Sequence, residues 1–313
     1  MGATTRDIYG PAKGELATPG SYGLAPRGHR LPAATRLGEV RLRVANLGRS
    51  LDYYTRVLGM RVIERTESRA SLGAHDDDRV LVELNEAAGA RAVPKRARLG
   101  LFHFAILLPD RAALGRFVRH LAAIGVQPDA GDHLVSEAFY LQDPDGLGIE
   151  IYADRPRDTW RRKDRELMIS TDPVDVDGLL RAAGDDPWTG MPAGTVMGHV
   201  HLHVGNIEQG AAFFSEALGF DRMAWSYPGA LFLAAGGYHH HLGTNIWAGA
   251  GAQPAGKDEA GLIEWTIELP DAASVDATAA SITAAGYDLS RDGGHVVTAD
   301  PWGTGIRLRN VAR

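Results

Sequence analysis

The sequence predicts an α+β protein of four βαβββ units, paired into two cupped mixed sheets with the helices outside. Three observations lead there. Four segments open alike, at residues 37, 99, 197 and 261, with a short alternating or apolar strand. Each strand runs into a helix-capping residue, Asn46, Asp110, Asn206 or Asp271, then about three helical turns that stop at a glycine. Each helix is followed by strand-like pieces broken by glycine, aspartate or proline turns, as in "ALFLAAGGYHHHLGTNIW" from 230 to 247.

The elements follow in chain order. Residues 1–35, rich in glycine and proline, read as an extended arm that is either disordered or wraps a neighbour. Residues 36–153 hold units one and two, where Leu114, Phe117 and Leu121 share a helical face. Residues 154–195 form a linker with a short helix at "PVDVDGLLRAAG". Residues 196–313 hold units three and four, with Ile207, Phe214 and Leu218 on one helical face. One unit cannot bury both its helix and its sheet, so the units must pair.

Composition narrows the chemistry. A chain of 313 residues with 44% hydrophobic content can fill two sizeable cores. The net charge of −6, without long runs of one sign, offers no footprint for nucleic acid or an anionic membrane. The basic stretch "RPRDTWRRKDRE" interleaves acids and reads as a solvated linker. There is no cysteine, which excludes disulfides, thiolate nucleophiles and iron–sulfur clusters, so any metal needs nitrogen and oxygen ligands. No apolar run suits a signal peptide or a membrane span, and a cytoplasmic location is the expectation.

Seven positions before the four caps stand Glu39, His103, His199 and Glu264, polar residues at one place in each first strand. In unit three, His199, His201 and His203 alternate with Val200, Leu202 and Val204, so the imidazoles share the face opposite the helix. A second signal is "GDHLVSEAFYLQDPDGLGIE", residues 131–150, which ends in a carboxylate inside an apolar strand. Its counterpart "DPWGTGIRL" near the end of the chain places Arg307 where Glu150 stood.

These residues resemble the vicinal oxygen chelate fold and, within it, the extradiol ring-cleavage dioxygenases. Gly131, His133, Phe139, Tyr140, Asp143, Pro144, Gly146 and Glu150 match the extradiol signature at eight positions. The resemblance implies that His103, His199 and Glu150 hold Fe(II), with Mn(II) as an alternative, leaving neighbouring positions for a catechol and O2. It implies acid/base work for His240 within "HHH" at 239–241, and contact with substrate oxygen for Tyr140 and His133. His201 shares the face of His199 and is a substrate-binding candidate. The implied reaction cleaves a catecholic ring beside its two hydroxyls and incorporates both oxygen atoms. A homo-oligomer is compatible with this reading.

The sequence also departs from the pattern. In the common two-domain enzymes the signature lies in the C-terminal half, whereas here it lies in unit two and the other histidine in unit three. Only pairing of those inner units would join His103, Glu150, His199 and His240 in one cup. The outer units would form a metal-free cup in which Arg307 lies between Glu39 and Glu264. Two other readings stay open. Sequential pairing would give one histidine and two glutamates, the set of a metal-dependent glyoxalase or isomerase, and a metal-free module that binds a planar ligand is the third.

Overall fold

A computed structural model describes residues 2–94 and 97–311. The four first strands are Arg36–Val44, Arg98–Leu107, Val196–His203 and Gly261–Leu269. Their caps act as the residue types require: Asn46, Asp110, Asn206 and Asp271 each accept a hydrogen bond from the backbone N–H three residues on, at 2.7–2.8 Å. Each such cap contributes about 1 kcal/mol. The helices span Leu47–Arg56, Arg111–Ala123, Ile207–Ala211 and Ala272–Ala284. In unit three the helix continues as a π turn, Ala212–Ala217. That wider turn buries the adjacent Phe213 and Phe214 together, which uniform helical spacing does not anticipate.

Two sheets result. The larger joins unit three to unit two, in the order Asp221–Ala224, Ala230–Ala234, Leu242–Asn245, Val196–His203, Arg98–Leu107, Gly148–Asp154, Ser136–Gln142, Asp129–Asp132. The seam is the antiparallel pair of first strands, with His201 opposite His103 and His199 opposite Ala105. The second sheet joins units four and one through Gly261–Leu269 and Arg36–Val44. Within each unit the first strand runs parallel to the fourth. A single hydrophobic core takes the apolar faces of both sheets and the inner faces of the helices, including Phe104, Ile106, Val200, Leu202, Leu42 and Trp265. Because side chains alternate along a strand, burying Phe104 and Val200 in that core turns His103 and His199 to the concave face.

The arm packs on its own chain. Thr5–Tyr9 is helical, and Glu15–Leu16 pairs with the linker strand Arg161–Lys163. Tyr9 is buried, and its hydroxyl bonds to both the N–H and the carbonyl of Ile169. The "RPRDTWRRKDRE" stretch is therefore partly structured, since Arg161–Lys163 and Glu166–Leu167 form a hairpin there. The linker also contains the helix Val176–Ala182, capped by Asp175. No helix is long and apolar enough to cross a membrane among the described residues.

Candidate metal centre

The turn "DPDG" aims Glu150. Asp143 Oδ1 accepts the N–H groups of Asp145 and Leu147, each at 2.9 Å, and burial pushes its carboxyl up to about 6. Asp145 is buried and accepts from Ala45 N–H at 2.8 Å and from Arg49. Beyond the turn, a Cβ at Gly148 would stand 2.0 Å from the Phe102 carbonyl, so only glycine lets this strand lie so close to its parallel neighbour. Two residues later Glu150 pairs with Ala105 across the ladder.

Glu150 Oε2 lies 3.0 Å from His103 Nε2 and 3.1 Å from His199 Nε2, and all three side chains are at most 6% exposed. Their ligand atoms lie within 4.8 Å of one another, the one such convergence of three among the described residues. Bonds of about 2.1 Å at about 90° would separate neighbouring ligand atoms by about 3.0 Å, so the spacing suits one divalent ion. His103 Nε2 is buried without a hydrogen bond of proper geometry, a condition that a metal would relieve. Two imidazoles and one carboxylate form a facial set for a first-row divalent metal.

Protonation favours ligation too. Burial would raise the Glu150 carboxyl, but His199 and His103 outweigh it and hold it well below the usual carboxylate range. Burial pushes both imidazoles down, with Glu150 offsetting part of the effect. The direction for all three is toward neutral nitrogen and charged oxygen, the forms that bind metal.

The other candidates line the same cavity of about 750 Å³. His240 is 5% exposed, and its ring centroid lies 4.1 Å from that of His199. Burial first, then the surrounding histidines, pushes its pKa well down. Residues 239–241 lie in a bend between the strands Ala230–Ala234 and Leu242–Asn245. His239 reaches sideways: its Nδ1 is 2.7 Å from His240 Nδ1 and its Nε2 is 2.9 Å from Asp154 Oδ1. A carboxylate only accepts, so in a neutral His239 the proton is on Nε2. His240 Nδ1 is then the donor between the rings, and His240 Nε2 keeps a lone pair.

The same reasoning fixes His133. Its Nδ1 donates to the Ser170 carbonyl at 2.5 Å, which leaves Nε2 of a neutral ring to accept the Tyr140 hydroxyl proton, also at 2.5 Å. With its proton donated to His133, Tyr140 turns oxygen lone pairs to the cavity, and burial, then the neighbouring Glu150 carboxylate, raises its pKa well above 10.0. His201 Nε2 accepts from Asn245 at 2.9 Å, and its ring meets Phe102 and Trp247, which also meet each other. In unit three the position of Glu150 belongs to Gly243, which pairs with His201 as Glu150 pairs with Ala105. A Cβ there would stand 2.8 Å from the His201 ring.

The outer cup differs in detail from the expectation. Arg307 Nε meets Glu264 at 2.6 Å, but its other carboxylate is Asp292, at 3.2 Å, not Glu39. The seam between Gly261–Leu269 and Arg36–Val44 keeps the register of the inner seam, and Glu39 pairs instead with Arg309, two residues beyond Arg307 on the same strand, at 2.7 Å. The position of Glu150 is Arg307 in unit four and Glu83 in unit one, where Arg41 meets Glu83 at 3.2 Å. Guanidinium groups thus stand against the carboxylates of this cup.

Several contributors carry no sequence signal of their own. Asp154, the Ser170 carbonyl, Phe102, Trp247 and the arm residues Gly2 and Ala3 reach the site through folding. Asp154, assigned to the linker from the sequence, is the last residue of the strand that carries Glu150, Gly148–Asp154.

Comparison with known proteins agrees with this architecture. The sequence model of the Glyoxalase/Bleomycin resistance protein/Dioxygenase superfamily matches residues 36–151. A catechol-2,3-dioxygenase of Bacillus subtilis (strain 168) is 45% identical over 271 residues, spanning 85% of this chain and 94% of that protein. Among solved structures, a putative dioxygenase from Bacillus subtilis subsp. subtilis str. 168 aligns with a TM-score of 0.60 at 13% identity, over 90% of this chain and 86% of that one. Glyoxalase I from Zea mays aligns with a TM-score of 0.51 at 19% identity, over 88% of this chain and 92% of that one. The two structural likenesses show the fold alone. With a relative so similar over nearly its whole length, the chain belongs to the glyoxalase/bleomycin resistance protein/dioxygenase superfamily.

Proposed function

We propose that the chain is an extradiol dioxygenase that opens a catecholic ring beside its hydroxyls with O2, using Fe(II) held by His103, His199 and Glu150. The observation that carries this reading is the convergence of those three ligand atoms on the floor of a cavity that His240 and Tyr140 also line. A divalent iron there would supply a chelation site for both catechol oxygens and the one-electron chemistry that lets a singlet ring react with O2. The matching catechol-2,3-dioxygenase supports the same reaction.

The protein's own residues do the remaining work. His240, neutral and with a lone pair on Nε2, takes a catechol proton and later returns one to an oxygen of the opening ring. Tyr140 accepts a hydrogen bond from substrate through Oη while His133 holds its proton. Phe102 and Trp247 meet His201 and keep this part of the wall apolar, which limits water near the reacting ring.

The glyoxalase reading loses its ligand set, because Glu39 belongs to the other sheet and cannot join His103 and Glu150. The test is anaerobic reconstitution with Fe(II), followed by catechol and oxygen. Appearance of a yellow ring-opened product, with none from metal-free protein, is the expected result. Metal-independent turnover, or no product from fully loaded protein across catechols, would overturn the proposal.

A further inference from the structure

The cavity wall is not built by the repeats alone. Gly2 and Ala3 line it, beside Ile169, Thr171 and Tyr227. This stretch is fastened at several points. Ala3 N–H donates to Tyr227 Oη at 2.9 Å, and Thr171 N–H donates to the Ala3 carbonyl at 2.8 Å. Thr5 bonds to Ser170 Oγ at 2.8 Å and also to Asp172, while Tyr9 clamps Ile169. The contact at Gly2 is close: a Cβ there would stand 2.5 Å from Thr171 Cβ and 2.7 Å from Tyr227 Oη. Ser170 and Thr171 in turn abut His133, through the Ser170 carbonyl and the Thr171 methyl beside Gly131.

The cavity also has more room than a bare catechol needs, since volumes of about 300–1,000 Å³ take drug-sized ligands and this one measures about 750 Å³. The arginine on its lining, Arg98, is engaged by Glu259 through two bonds of 2.9 Å. Among the described lining residues no cation is thus left to neutralise an anionic substituent.

We propose that the segment Gly2–Tyr9 is a specificity-determining strap: Gly2 and Ala3 close one end of the cavity and set the largest ring substituent that a catechol may carry there. This rests on the dioxygenase reading for its substrate class. The small residues at the tip leave the space, the backbone bounds it, and the Tyr9 clamp holds the boundary in place.

Two variants move the boundary in opposite directions while keeping Tyr9. Deleting residues 2–5 removes the wall, and Ala3→Leu thickens it. Catechol and 3-phenylcatechol are the probes. The ratio of kcat/KM for 3-phenylcatechol over catechol is expected to rise at least fivefold in the deletion and fall at least fivefold in Ala3→Leu. Anaerobic calorimetry gives the same ratio as Kd values, without turnover, and melting curves confirm that both variants fold. A ratio that moves less than twofold in the two folded variants overturns the proposal. Failure of wild-type protein to open either ring refutes the dioxygenase reading, while the ratio of Kd values still decides the strap.

Discussion

Acidification should destabilise the metal-free protein, because its buried imidazoles resist protonation. His201, His240 and His241 are buried, and burial holds their pKa values far below the ordinary 6.5, in His241 at about 3. A histidine whose folded pKa is depressed contributes stability above its unfolded pKa and loses it as pH falls below that value, because only the unfolded chain takes up the proton. Between pH 7 and pH 5.5 each such group costs on the order of 1 kcal/mol or slightly more, so the three together cost about 4 kcal/mol. Asp143 works the other way. Its carboxyl is raised to about 6, so protonation below pH 6 favours the folded state and returns under about 1 kcal/mol at pH 5.5. The net loss is about 3 kcal/mol, and His103 and His199, also depressed by burial, add to it. Against a typical stability of 5–15 kcal/mol that is a large fraction. Urea unfolding of metal-free protein across this pH range measures it. A loss below about 1 kcal/mol, or a gain on acidification, would refute the reasoning about buried neutral imidazoles.

Three further outcomes follow from the geometry. His240→Ala should load metal normally yet turn over 10²- to 10⁴-fold more slowly, about the loss expected of a missing acid/base group, in steady-state assays against metal content. Arg307→Met leaves Glu264 with only Arg41, at 3.4 Å. Breaking a buried pair costs about 3–5 kcal/mol; the remaining arginine lowers the expectation to about 2–3 kcal/mol, read by chemical denaturation, with ring opening unchanged. Gly243→Ala drives a Cβ into the His201 ring and should cost about 1–3 kcal/mol in overpacking, raising KM for catechol more than it lowers kcat.

Much of the molecule was legible because it repeats. The caps Asn46, Asp110, Asn206 and Asp271 announce four helices, and counting back from them finds one polar position in four strands. Register then carries His103, Glu150 and His199 to one place: strand alternation turns them to one face, and the glycines around Glu150 let its strand lie close. The pairing of inner units could be argued only indirectly, from which unit holds the acid and which the histidine. What stayed illegible depends on long-range contact. Glu39 meets Arg309 rather than Arg307, a choice between two arginines on one strand that residue spacing does not fix. The "HHH" run lies in a bend between strands, and Asp154, the partner of His239, is remote in sequence. The arm, with few apolar residues, gave no sign that Tyr9 would anchor it beside the cup.

The most direct test of the account is the metal stoichiometry of anaerobically loaded protein, wild type against Glu150→Ala. The account predicts one ion per wild-type chain, bound to two imidazoles and an oxygen ligand by X-ray absorption, and loss of that ion in folded Glu150→Ala. Full metal retention in the variant, or a wild-type chain that binds none, would contradict it.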